Sequence, residues 1–326
     1  MLKTCRVFRK LSLMGLAVWM LCPCLSARAA TASPLYARGY TVLPSPQKVK
    51  LGERDFRFGQ DWRLRLAPGI SSSDIAITSL NEELQARHHL TLRGQEWNHA
   101  PAGILRLAIV PNSIAIGDAT DSNQTALAEQ AYKIFLAKDN VTITANASAG
   151  LFYGVQTFLQ LLKPQAGALW LTEGEIVDWP DLDLRIICWD DAHHLERPGA
   201  LERAIRQAAF YKINGFAIKL DGHFQYKSAV PIVEPYALTP SELKALTDEA
   251  VKYHVQLIPY LDGPAHISFI LKHPEYARLR EYPQSNYEAC ATNPDTYNLF
   301  SECFRSCWTP IRAASISFSP PTNPIK

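Results

Sequence analysis

The sequence predicts an α/β protein in two parts. A small α/β domain occupies residues 36–176, and residues 178–302 form the first part of a (β/α)8 barrel or of a doubly wound sheet. Three observations predict this. Short apolar runs alternate with helix signals from Asp178 onward, as a parallel sheet with crossover helices requires. The runs are five to seven residues long, which suits strands buried on both faces. Each ends in polar residues, where such folds carry their functional groups.

In chain order, Ile75, Ile77, Leu80 and Leu84 recur at helical spacing and predict an amphipathic helix over Asp74–His88. Leu105–Val110 is a strand-type run. Tyr132–Leu136 and Val141–Thr144, joined by Lys138-Asp-Asn140, predict a hairpin. Gly150-Leu-Phe-Tyr-Gly154 leads into a helix that stops near Pro164. In the second part, strands are predicted at Leu184–Trp189, Phe216–Leu220 and Val255–Leu261. Helices are predicted from Pro198 to Tyr211 and after Thr239-Pro-Ser-Glu242, where Pro sits near the first helical position.

The 326 residues are 47% apolar and 20% charged, a globular composition. A formal net charge of +2 argues against a nucleic-acid or anionic-membrane partner. Lys3, Arg6, Arg9 and Lys10, the apolar run Leu11–Leu25 and the small-residue site Ala27-Arg-Ala29 predict an export signal over 1–29. The mature chain is therefore expected outside the cytoplasm, with no membrane span. Cys188, in an apolar run, is expected to be a buried thiol, and a Cys188–Cys290 disulfide is compatible with an oxidising compartment. No cofactor is expected. No metal is expected at His193, His194 or His223, because no carboxylate–histidine spacing repeats on a helix.

The predicted strand ends carry Asp190-Asp191 with His193-His194, then Lys219 and Asp221 with His223, then Asp262 with His266. A functional cluster and a set of solvated loop residues or helix caps both fit that spacing.

Several segments, in order, resemble glycoside hydrolase family 20, the β-N-acetylhexosaminidases. Tyr132-Lys-Ile with Val141-Thr-Ile-Thr and the Gly150–Leu162 segment resemble the end of that family's N-terminal domain. Asp178-Trp-Pro180 and Arg185-x4-Asp190 are similar to its entry into the barrel. Tyr211-Lys-Ile-Asn214 resembles its second-strand start, and Ile258-Pro-Tyr-Leu-Asp-Gly-Pro-Ala-His266 its third-strand motif. Cys290-Ala-Thr-Asn-Pro294 resembles the segment before the fourth strand's helix. Ile186, Tyr260 and Ala265 depart from the family's glycine, glutamate and glycine at those places.

The resemblance implies a barrel and a hydrolase of terminal N-acetylhexosamine on glycans. It implies that Arg185 binds sugar hydroxyls through its planar fork, with Asp190 supporting it or flooring the site. Asp262 and His266 would form a polar layer behind the side chains that touch the sugar, near the acetamido pocket. The family's chemistry is substrate-assisted: an Asp-Glu pair ending strand four supplies the general acid and orients the acetamido group. No Asp-Glu pair follows Asn293 here, so no catalytic residue is assigned and the chain is expected to be inactive as encoded.

Residues 303–326, with Pro310, Pro320, Pro321 and Pro324 and no evident hydrophobic period, look unlike a barrel strand. Back-translated one nucleotide earlier, permitted codons give an apolar run followed by an Asp-Glu pair. A frameshift near Glu302, with a C-terminal truncation, is the expectation. A non-catalytic sugar-binding remnant or an unstable product is the alternative.

Overall fold

A computed structural model describes residues 33–92 and 100–314. The expected leader (1–29) and residues 315–326 of the expected out-of-frame tail lie outside the described residues.

The first part is one sheet with helices packed on it. Its elements are α1 (Pro34–Ala37), β1 (Lys48–Phe58), β2 (Trp62–Leu66), α2 (Ile75–His88), β3 (Gly103–Ile109) and α3 (Gln124–Glu129). They are followed by β4 (Tyr132–Ala137), β5 (Asn140–Ala145), α4 (Ser148–Leu161), β6 (Lys163–Gln165) and β7 (Ala168–Asp178). The strand order is β1-β7-β4-β5-β3-β2, with β6 on β7. The predicted hairpin is β4–β5, antiparallel from Tyr132↔Ala145 to Ala137↔Asn140.

Helix α2 starts where Asp74 Oδ1 accepts the Ala76 N–H at 2.9 Å, a side-chain cap for an otherwise orphaned donor. It buries Ile77, Leu80 and Leu84 on one face. Helix α4 is buried on nearly every side. One side lies on β4 and β5. On another, the Phe152 ring meets Tyr253 and His254 of the second part, at centroid distances of 6.1 and 5.6 Å.

The two glycines of the Gly150–Gly154 segment explain that close seating. A Cβ on Gly150 would come within 2.5 Å of the Ala131 carbonyl oxygen, and one on Gly154 within 2.7 Å of Ile143 Cγ2. Glycine here is a packing requirement.

The second part comprises β8 (Ile186–Asp190), α5 (Pro198–Phe210), β9 (Gly215–Lys219), α6 (Pro240–Lys252), β10 (Gln256–Tyr260), the one-turn α7 (Ser268–Leu271) and α8 (Pro294–Ala314). The strands lie in the order β10-β9-β8, all parallel. Helix α5 packs on α6, and α6 on α8, which also covers β10. This is a sequential strand–helix wall, as in the first part of a barrel. Phe216, Ile218 and Leu257 are buried, and Trp189 stacks on Phe216 at 5.7 Å. Among the described residues nothing pairs with the outer edge of β8 or of β10, and Ile186 is 51% exposed. Buried residues of both parts form one connected apolar cluster.

Two expectations about cysteine are corrected. Cys188 is exposed, because its edge strand is uncovered among the described residues. Cys188 and Cys290 are both free thiols, so the pair forms no disulfide.

The expectation that 303 onward lacks a hydrophobic period is also corrected, as far as 312. Helix α8 runs unbroken through Glu302–Cys303 and buries Leu299, Cys303, Cys307 and Ile311, one every four residues. Cysteine behaves there as a small apolar residue, and burial pushes both thiols up to about 12. Pro310 is accommodated inside the helix. No helix among the described residues is long and apolar enough to cross a membrane.

Candidate functional site

Parallel register sets the site. Asp190 of β8 pairs with Lys219 of β9, and Lys219 with Tyr260 of β10, so one row of side chains crosses the C-terminal edge of the sheet. Side chains at equivalent register positions share a face. The turns just beyond the row add Asp191, Asp221 and Asp262.

Lys219 is the hub. Its Nζ lies 2.8 Å from Asp262 Oδ2, 3.5 Å from Asp221 Oδ2 and 4.0 Å from Asp190 Oδ2. The Tyr260 hydroxyl donates to Asp262 Oδ1 at 2.7 Å. His193 meets Asp190 twice: its backbone N–H donates to Oδ1 at 3.2 Å, and its Nδ1 lies 2.7 Å from Oδ2. His266 Nε2 is 3.0 Å from the Tyr287 hydroxyl, with the rings edge to face. Beneath this layer, fully buried Asp191 accepts the Glu196 N–H at 2.9 Å, and its carbonyl lies 2.6 Å from His223 Nδ1.

The carboxyl groups divide by environment. Burial raises Asp262, but the Lys219 and Tyr260 hydrogen bonds outweigh it and hold the group below the ordinary carboxyl value. Asp190 is likewise held down, against some burial, by His193 and Lys219. Asp221 is pushed up, first by burial and then by the neighbouring Asp262 charge, despite Lys219. Burial also pushes up Asp191. Asp191 Oδ2 and Asp221 Oδ1 have no hydrogen-bond partner. Lys219 loses some basicity to burial and regains more from Asp262 and Asp221, so it stays ionised.

Ionised carboxylates beside an ammonium offer acceptors and donors together, which suits a ligand rich in hydroxyl groups. Next to Asp262, a groove of about 560 Å³ lies between the loop after β10 and α8, lined by Gly263, Pro264, Tyr297, Phe300 and Phe304. Among the described residues no group of three or more His, Cys, Asp or Glu side chains is placed to hold a metal ion.

The structure brings Asp190 and Asp262 together through Lys219, with His266 near enough to act on the charge of Asp262. It does not bring Arg185. The expectation that Arg185 offers its fork to a sugar is corrected: Nε donates to the Lys212 carbonyl at 2.8 Å, and Nη1 to the carbonyls of Leu182 and Asp183 at 2.8 and 3.1 Å. Five residues of strand separate it from Asp190 by roughly 16 Å, which puts Asp190 out of its reach.

The other motif residues near Arg185 are structural too. Asn214 Oδ1 accepts the Arg185 N–H at 2.7 Å, and Asn214 Nδ2 donates to the Asp183 carbonyl at 2.7 Å. Lys212 Nζ, buried, donates to Asp178 Oδ2 at 3.2 Å and to the Tyr132 hydroxyl at 2.8 Å. Sequence reasoning placed Lys219 and Asp221 at a strand end but gave them no role. The usable signal was a lone cation in a run of strand-end carboxylates. Tyr287 lies 21 positions from His266 and gave no signal.

Residues 39–179 match the model of glycosyl hydrolase family 20, domain 2. The β-hexosaminidase subunit beta of Felis catus is 25% identical over 267 residues, covering 77% of this chain and 50% of that protein. The β-hexosaminidase of Vibrio furnissii is 24% identical over 276 residues, covering 76% of this chain and 42% of that protein. The chain thus spans about half the length of these relatives, or less. Among solved structures, a Flavobacterium johnsoniae chitobiase superposes with a TM-score of 0.63 at 19% identity, covering 84% of this chain and 43% of that one. A family 20 exo-β-N-acetylglucosaminidase from Vibrio harveyi, in complex with N-acetylglucosamine, gives 0.62 at 21% identity, covering 83% and 45%. At these identities the superpositions speak for the fold. Residues 39–179 thus carry a domain of glycoside hydrolase family 20, and over most of its length the chain is similar to β-hexosaminidases.

Proposed function

We propose that this chain forms a carbohydrate site of the β-N-acetylhexosaminidase type, which binds a terminal N-acetylhexosamine of a glycan and, as encoded, does not hydrolyse it. The observation that carries this is the row Asp190–Lys219–Tyr260 with Asp262, at the C-terminal edge of the sheet in this family's fold. Carboxylate oxygens there accept from sugar hydroxyls, and His266 with Tyr287 closes one side. We place Arg185 outside the binding surface, because its Nε and Nη1 donors are held by backbone carbonyls.

The absence of turnover follows from chemistry. Substrate-assisted hydrolysis needs a carboxylic acid at the leaving oxygen and a carboxylate that orients the acetamido group. The sequence does contain an Asp-Glu pair, Asp248-Glu249, but it lies on α6, in the helical layer outside the sheet. There Asp248 pairs with Lys244 at 2.7 Å, and Glu249 with Arg206 and Lys252. The export-signal pattern supports a location outside the cytoplasm, where such glycans are met.

The test uses the purified 326-residue chain. N-acetylglucosamine is titrated by calorimetry, and an aryl N-acetyl-β-glucosaminide is offered as substrate. Expected are saturable binding, weakened at least about tenfold by Asp262→Ala, the scale of one lost charged hydrogen bond, and no release of the aryl group. Turnover that depends on Asp262 would overturn the non-catalytic part, and no binding at millimolar sugar would overturn the site.

A further inference from the structure

Asp262 is gripped on both carboxylate oxygens by groups that the family resemblance does not assign. Lys219 Nζ holds Oδ2 at 2.8 Å and the Tyr260 hydroxyl holds Oδ1 at 2.7 Å, while Asp221 Oδ2 lies 3.5 Å from the same Nζ. Lys219 and Asp221 lie on or just after β9, whereas Asp262 follows β10, so the grip crosses from one strand end to the next. The Lys219 side chain is only 10% exposed and that of Asp221 only 9%, whereas Asp190 is 46% exposed. Lys219 and Asp221 therefore sit behind the surface a ligand would touch. Asp221 adopts a left-handed backbone, φ 42°, without being glycine. Such a conformation persists where the surroundings enforce it.

An ammonium has three donors and no acceptor, and here it faces carboxylates from the ends of all three strands. It contributes no shape of its own to a ligand. It fixes the rotamer and charge of the carboxylate nearest to it. One donor occupies each Asp262 oxygen, and each oxygen keeps acceptor capacity for a ligand hydroxyl.

We propose that Lys219, itself held by Asp221, is a positioning residue: it fixes the Asp262 carboxylate, so that Asp262 is preorganised to accept a ligand hydroxyl. The ligand rests on the function proposed above, whereas the positioning is a property of the free protein, so the two fail separately.

Carboxyl-carbon NMR titration of the free full-length chain tests it. Asp262 is expected to titrate below the ordinary carboxyl value in the wild type. It should rise by about 1 unit in Lys219→Met, the low end for losing a contacting opposite charge, and stay low in Lys219→Arg. N-acetylglucosamine affinity should follow the same order. An ordinary titration of Asp262 in the wild type overturns the proposal even if every variant misfolds. So does an unmoved titration in Lys219→Met. If the titrations behave as expected and no sugar binds, the positioning stands and the carbohydrate assignment falls.

Discussion

Asp191 has no exposed surface, yet its Oδ2 finds no hydrogen-bond donor. Burial therefore raises its pKa from the ordinary value of 3.8. The folded chain holds this proton to higher pH than the unfolded chain does, so Asp191 destabilises the fold once pH climbs above 3.8. The cost fades as pH falls back toward that value. Asp191→Asn keeps an oxygen for the Glu196 N–H and removes the charge. Thermal unfolding is expected to give Asp191→Asn a higher Tm than the wild type at pH 7.5 and an equal one near pH 4. A lower Tm at pH 7.5 would show that the buried charge is better satisfied than its geometry indicates.

The same scale shows what single residues disclose in a sequence. Asp190 and Asp262 were legible, because polar residues ending apolar runs collect at one sheet edge. Arg185 misled, because a spacing of five residues along a strand places two side chains at opposite ends of it. The partners of Arg185 are carbonyl groups, which every residue carries and no sequence pattern marks.

At the scale of elements, α4 depends on how near it comes to β4 and β5. Gly150→Ala directs a methyl group at the Ala131 carbonyl oxygen, which belongs to backbone and cannot turn aside. The substitution is expected to cost about 1–3 kcal/mol, the range for overpacking, measured by urea denaturation. Ser148→Ala, on the same helix but away from that contact, serves as the control.

Helix α6 was legible because its capping box is written in sequence. Thr239 Oγ1 accepts the Glu242 N–H at 3.1 Å, and Glu242 accepts the Thr239 N–H at 2.8 Å. Strands β1 and β7 were not legible. Strand β1 is a largely exposed edge strand rich in charge, and β7 carries an interior glycine at φ 154°. Their strand state is set by long-range pairing with each other and with β4. The second half of α8 was hidden for a different reason: its buried face is cysteine and isoleucine rather than leucine, and a proline sits inside it.

At the scale of the whole molecule, the two parts are joined by a buried ion pair as well as by apolar contact. Lys212 reaches Asp178 and Tyr132 with its Nζ out of water, and burial lowers its pKa against the raising influence of Asp178. Asp178 also accepts the Gln47 N–H at 3.1 Å and the Tyr132 hydroxyl. Removing one partner strands the other. Lys212→Met is expected to destabilise by about 3–5 kcal/mol. Because the core is continuous across both parts, the wild type should unfold in one transition seen alike by far-UV circular dichroism and tryptophan fluorescence. Two separated transitions would show that the parts fold independently. The two-part architecture was legible from the change of rhythm at Asp178. The joint was not, because Asp178 and Lys212 are 34 positions apart.

Among the described residues the rims of β8 and β10 are uncovered, which has a consequence for association. A parallel sheet is directional, so its first and last strands present unlike hydrogen-bonding profiles. If one molecule's β8 docks beside another's β10, in the parallel sense of the existing sheet, each newcomer leaves a fresh rim of the same kind. Such head-to-tail growth stops only if the rotation per step happens to close a ring. Crowded solutions of this chain would then pass from monomer toward polydisperse fibres instead of settling at a twofold pair, and charge placed on Ile186 would interrupt the series.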